Sequence, residues 1–357
     1  MEKRLNGKRL SKASRSGFIN YGIVIAAFVI LQLLMALGLL SNSLQSLLVP
    51  TCCYIVMAVS LNLTVGILGE LSLGHAGFMS LGAFSGIVAS FLLADAIPFA
   101  PLRLALSMIV GAVFGALGGV VVGVPVLRLQ GDYLAIVTLA FGQIIKNIIM
   151  VLYVGVDEKG FHIAASSERF NLTEDGVAII KGPMGAVGVA KLASFTAGFV
   201  LILITLAVVQ NLVNSRSGRA IMALRDNRIA AESVGINTTK YKLMAFVTSA
   251  ALAGAAGALF GLNYSSTVAS KFDFNASILV LVFVVLGGLG SIRGSIIAAA
   301  LLYVLPELLR QFGDIADYRM LVYAIVLILV MLVTNNDSLK ALLGRIIPKR
   351  KGAASHG

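Results

Sequence analysis

Tryptophan is absent from this 357-residue chain. Any anchoring at a membrane–water boundary therefore falls to Tyr, Phe, Lys and Arg. There are two cysteines, Cys52 and Cys53, adjacent within an apolar run. Neighbours on a helix point apart, so no structural disulfide is expected and the redox compartment is unreadable. The histidines His75, His162 and His356 are scattered, and no metal cluster or nucleophile–base arrangement can be read. No phosphate-cradling G-x-x-x-x-G-K-[ST] loop occurs, and no cofactor is indicated. Uphill movement of a solute would need a partner that hydrolyses nucleotide, or an ion gradient. Carboxylates are almost missing from the middle of the apolar runs. Glu307 sits near the end of one and Glu70 in a loop. A proton or sodium ion needs a buried site, so this shortage weighs against an ion-coupled carrier.

What is present is oil. Apolar residues make up 58% and charged residues 12%, against about 45–50% and about 25% in soluble domains. Mean hydropathy is +0.95. A crossing needs about 20 apolar residues, and ten candidate spans fit: 18–40, 44–64, 75–94, 104–127, 133–152, 193–213, 243–262, 277–290, 294–309 and 319–334. The eighth and ninth are short enough to be a broken or re-entrant pair. The expectation is an all-α polytopic membrane protein with about ten transmembrane helices and both termini cytoplasmic. Its parts are a basic tail 1–17, a membrane domain 18–334 and a basic tail 335–357. Lys and Arg before the first apolar run precede a stretch too long for a cleavable signal core. The net charge of +12 then reports cytoplasmic loops and anionic membrane lipid rather than nucleic acid. Loop 214–242 and the C-terminal tail are basic. Loop 153–192 is acid-rich and is expected outside.

Loop 214–242 is the longest basic segment between spans. Asn227 can cap a helix and Gly235 can end one in the left-handed region, which predicts a short helix over 228–234. On a 3.6-residue wheel Arg225, Arg228 and Glu232 share one face, and Ala230, Ala231 and Val234 the other. From the residues alone two readings stand: a docking surface, or a solvated loop with one helical turn.

Glycines mark the packing. Gly111, Gly115, Gly119 and Gly123 form one stripe on span four, and Gly82, Gly86, Gly257 and Gly261 offer partners for backbone-to-backbone approach. Gly66, Gly69, Gly74 and Gly77 interrupt VGILGELSLGHAGF, which suggests a turn buried in protein. On span five Gln143, Lys146 and Asn147 share a face. They either border a hydrated translocation path or serve as a snorkelling lysine and two packing amides. His75 is a candidate cargo contact or a satisfied structural histidine.

Four stretches together resemble the longer permease subunit of the branched-chain amino acid ABC importers: Leu61–Phe84, Leu127–Ile148, Gly218–Gly261 and Gly287–Arg310. The resemblance implies the ABC importer permease fold, in which a cytoplasmic loop seats a coupling helix in a groove of an ATPase. It places Ala230, Ala231, Glu232 and Gly235 at the coupling motif, with Arg225 and Asp226 beside it. The partners implied are two ATPase subunits, a sister permease and an external substrate-binding protein, in a bacterial inner membrane. The permease itself would not be an enzyme. Arg228 stands where the family often has an acid, Gln143 where a glutamate is common, and Ser295 where a proline is frequent. Urea, short-chain amide, sugar or nucleoside permeases are the neighbouring readings.

Overall fold

The computed structural model describes residues 12–310 apart from 128, 130, 158–159, 168–169 and 171–175, and also 321, 324, 325 and 328. Its helices are α1 (Lys12–Ala36), α2 (Asn42–Asn62), α3 (His75–Leu92), α4 (Ala100–Val126), α5 (Asp132–Val151), α6 (Phe195–Asn214), α7 (Arg216–Asp226), α8 (Arg228–Ser233), α9 (Thr238–Gly261), α10 (Phe274–Gly287) and α11 (Ile292–Arg310). Among the described residues, eight helical stretches are long and apolar enough to cross a membrane, and Asn20–Ala36 is a shorter apolar helix. These match the expected spans one to nine. The short pair becomes Ala269–Gly287 and Ile292–Leu309, each long enough to cross. The tenth, 319–334, falls almost wholly outside the described residues, as do residues 1–11 and the tail 335–357.

Small polar side chains set where several helices begin. Ser194, Ser215, Asn227, Asn237 and Asp273 each accept a hydrogen bond from the amide three residues on, at 3.0–3.2 Å. Each satisfies one of the amides a helix start leaves without a partner. α2 is buried from Leu48 to Asn62 except at half-buried Tyr54. Its last turn widens into a π-helical segment, Leu63–Leu68, and stops at Gly69, whose φ of +83° is left-handed. The glycine-marked break foreseen in the sequence is therefore a wide turn followed by irregular chain to His75.

The glycine stripe is the seam of a three-helix block. A Cβ at Gly115 would lie 2.5 Å from the Ala250 carbonyl oxygen and 3.0 Å from Gly254 Cα. One at Gly86 would lie 2.5 Å from Ala258 Cβ, and one at Gly82 would strike the Gly254 backbone. Thus α3, α4 and α9 meet backbone to backbone, as their glycine spacing predicts.

Helices make the membrane part, but loop 153–192 is not irregular. It holds β1 (Tyr153–Asp157), β2 (Gly160–Ala164), β3 (Val177–Lys181) and β4 (Ala186–Val187), joined by β5 (Ser266–Thr267) from the α9–α10 connection. The order is β2-β1-β3-β4-β5, every neighbouring pair antiparallel. Val154, Ile179, Ile180 and Ala186 are buried in or beneath it. Gly182 and Gly185 have φ of +56° and +71° and let the chain turn from β3 into β4. This sheet is absent from the sequence reading because its strands are only two to five residues long.

Candidate coupling site

The basic loop folds as two helices rather than the one expected. α7 buries Gly218, Ile221 and Leu224, an i, i+3 apolar line on an otherwise charged sequence. Asn227 is extended, with φ −156° and ψ 104°, which separates α7 from α8. α8 then closes in a complete Schellman arrangement. Ile236 N–H donates to the Ala231 carbonyl at 3.1 Å and Gly235 N–H to the Glu232 carbonyl at 3.0 Å. Gly235 has φ +85°, so a side chain there would be strained.

The faces of α8 differ from the expectation. Ala231 is buried, whereas Ala230 is exposed, and Ile229 and Val234 are 81% and 76% exposed. The surface offered outward is therefore Ile229, Ala230, Ser233 and Val234. Ala231 turns inward because α8 rests on α7 and α9. Arg228 and Glu232 brace the helix on its flank: Arg228 Nε donates to Glu232 Oε1 at 2.8 Å and Thr238 Oγ1 donates to the same oxygen at 2.7 Å. The Arg228 hydrogen bond, then that of Thr238, holds the Glu232 carboxyl below its ordinary range. With Ile229 and Val234 exposed, this short helix is an apolar knob on a cationic loop.

Arg225 belongs to α7 and not to the α8 face. Its guanidinium grips Asp226 Oδ1 through Nε at 3.1 Å and Nη2 at 3.0 Å. Its Nη1 donates to the carbonyl of Gly66 at 3.1 Å, inside the π-helical turn. Its stem lies across Gly69, where a Cβ would sit 2.6 Å from Arg225 Cγ. Beside it, Lys242 and Glu70 form a largely buried ion pair, which closes one side of a cavity of about 400 Å³ also lined by Asp132, Leu224 and Arg228. Asn62, fully buried, donates from Nδ2 to Ser295 Oγ at 2.9 Å and accepts the Gly290 amide at 2.8 Å. Sequence reasoning missed Asn62, Glu70 and Lys242 as site residues. A buried polar residue inside an apolar span was the signal available for Asn62.

The proposed path residues lie on two helices, α3 and α5. Gln143 and Lys146 are half-buried on α5 and Asn147 is exposed. None of them bonds to another described side chain. His75 is 2% exposed at the start of α3. Its Nε2 lies 2.8 Å from Ser60 Oγ, and that hydroxyl donates to the Met57 carbonyl at 2.9 Å. The imidazole fastens α3 to α2. No described hydrogen bond connects it with the α5 trio.

The family model for the branched-chain amino acid transport system permease component matches residues 43–331. The chain belongs to that family. This permease is 33% identical over 296 residues to the high-affinity branched-chain amino acid transport system permease protein LivM of Salmonella typhimurium, and equally so to LivM of Escherichia coli. The matches cover 79% of this chain and 66% of those relatives, so it spans just under two thirds of their length. It is 29% identical over 301 residues to the ribose import permease protein RbsC of Escherichia coli, covering 82% of this chain and 86% of that one. No solved structure matches it. The relatives are named as permease proteins rather than enzymes. With its many apolar helices, the chain is a multi-pass inner-membrane protein.

Proposed function

We propose that this permease carries leucine, isoleucine and valine into the cell as one subunit of an ATP-binding cassette importer. ATP is hydrolysed on two partner ATPases, cargo is delivered by an external binding protein, and a sister permease completes the conduit. The observation that carries the reading is α8: a short capped helix on the basic loop with Ile229, Ala230 and Val234 exposed, in a chain whose sequence carries no phosphate-cradling loop of its own. Ile229, Ala230 and Val234 form the face that enters the ATPase groove. Arg228, Glu232 and Gly235 hold that face in shape. Loop 214–242 is then cytoplasmic and loop 153–192 external. The α5 face of Gln143, Lys146 and Asn147 borders the path.

The experiment is reconstitution of the permeases with their ATPases and binding protein. Glu232→Arg and Gly235→Trp are expected to insert normally and to lose both uptake and binding-protein-stimulated ATPase. Normal stimulated hydrolysis in either variant sinks the docking role of α8. Uptake of radiolabelled leucine, isoleucine and valine should exceed that of urea and of ribose. Preference for urea moves the chain to the amide permeases. Preference for ribose, which the likeness to RbsC makes the relevant control, moves it to the sugar permeases.

A further inference from the structure

The inward side of the docking loop reaches two breaks in the membrane helices. The first is the π-helical turn Leu63–Leu68, which ends at Gly69. The second is the α10–α11 turn, where Gly288 and Gly290 have φ of +91° and +80°. These breaks lie far apart in sequence and touch in space. A Cβ at Gly66 would strike the Gly290 backbone, and one at Gly290 would come within 3.4 Å of the Gly66 carbonyl oxygen and 4.0 Å of Arg225 Nη1. Asn62 spans the junction with both ends of its amide, as described above. Arg225 reaches it from outside, through the Gly66 carbonyl.

A backbone carbonyl freed by a widened turn must find a donor. Here the donor comes from the loop that α8 belongs to, 159 residues away in sequence. Arg225 is tied at three points in this position: its stem lies beside Gly69, its Nη1 is on the Gly66 carbonyl, and its Nε and Nη2 are bonded to Asp226, although its side chain is 41% exposed. A displacement of α7 therefore pulls or pushes the π-helical turn. Asn62 passes that movement on to the Gly288–Gly290 turn.

We infer that Arg225 and Asn62 form the link by which movement of the docking loop reaches both interrupted helices. Arg225 is thus a positioning residue that faces the membrane domain, not a contact for the ATPase. This rests on the docking reading of α8. The test uses the reconstituted complex, with solute import and ATP hydrolysis measured on one sample. The solute is leucine, or whichever of the solutes above the wild-type complex imports. Arg225→Ala and, separately, Asn62→Ala are expected to keep assembly and basal hydrolysis within about twofold of wild type and to lower import per ATP about tenfold. Arg225→Lys, which keeps a donor without the fork, should recover part of the loss. The double alanine variant should be no worse than either single one, since both break one link.

Unchanged import per ATP in either alanine variant overturns the link. So does a parallel loss of import and hydrolysis, which would make the role one of docking or folding. If both alanine variants fail to assemble, normal coupling in Arg225→Lys with impaired assembly overturns it as well. Failure of the docking reading looks different: Glu232→Arg would then leave stimulated hydrolysis intact, whatever Arg225 does.

Discussion

At the scale of single residues, two side chains offer tests, one of the basic loop and one of the proposed path. Glu232 is held below its ordinary range by Arg228 and Thr238. A depressed carboxyl stabilises the fold above its unfolded pKa, and the contribution is lost as pH falls through the depressed folded value. The brace on α8 is thus intact at neutral pH and fails only in acid. The carboxylate infrared band assigned by comparison with Glu232→Gln should titrate below that of an ordinary glutamate, about 4.3. It should return towards that value in Arg228→Gln. Identical titration in both proteins would show that Arg228 does not act on Glu232. Lys146 is the other case. If it borders the proposed path, Lys146→Met alters the apparent affinity or rate of uptake by more than about twofold while the thermal midpoint changes little. Wild-type uptake with a changed midpoint would return Lys146 to snorkelling.

Elements show what the sequence made legible. The helix positions, the Asn227 cap, the Gly235 stop and the α3–α4–α9 seam all follow from local rules on periodicity, capping and small residues. What escaped depends on partners remote in sequence. α7 carries too many charges to read as a helix until its burying neighbours are known. The strands β4 and β5 are two residues each and exist only because they pair. Arg225 reads as part of the charged face with Arg228 and Glu232, beside the coupling motif, because nothing nearby in sequence reveals Gly66. The seam yields a contrast within one helix. Gly115→Ala drives a methyl onto the fixed Ala250 carbonyl oxygen, and should cost about 1–3 kcal/mol. Gly118→Ala crowds the end of the Leu81 side chain, which can swing aside, meets Phe78 at ordinary contact distance, and gains up to about 1 kcal/mol of helix propensity. Thermal midpoints of the detergent-solubilised variants should fall for Gly115→Ala and hold for Gly118→Ala. Equal midpoints would show that the backbones can part without cost.

For the whole molecule, α6 separates the sheet from the basic loop 214–242. Its 20 residues rise about 30 Å at 1.5 Å each, enough to place the two on opposite faces of a bilayer. A single cysteine at Ser233 should react with an impermeant maleimide only after the cells are opened, and one at Phe161 should react in intact cells. Cys52 and Cys53 are free but buried, so the background is low. Labelling at Ser233 from outside would invert the protein and remove α8 from its proposed partner. The glycine seam constrains how such a conduit can move. Side chains normally act as a compliant layer that lets two helices shift by rotamer change. α3, α4 and α9 have no such layer where their main chains touch, so sliding would drive amide against amide. These helices would travel together as a solid spar, so any opening and closing of the proposed passage would fall to the other helices.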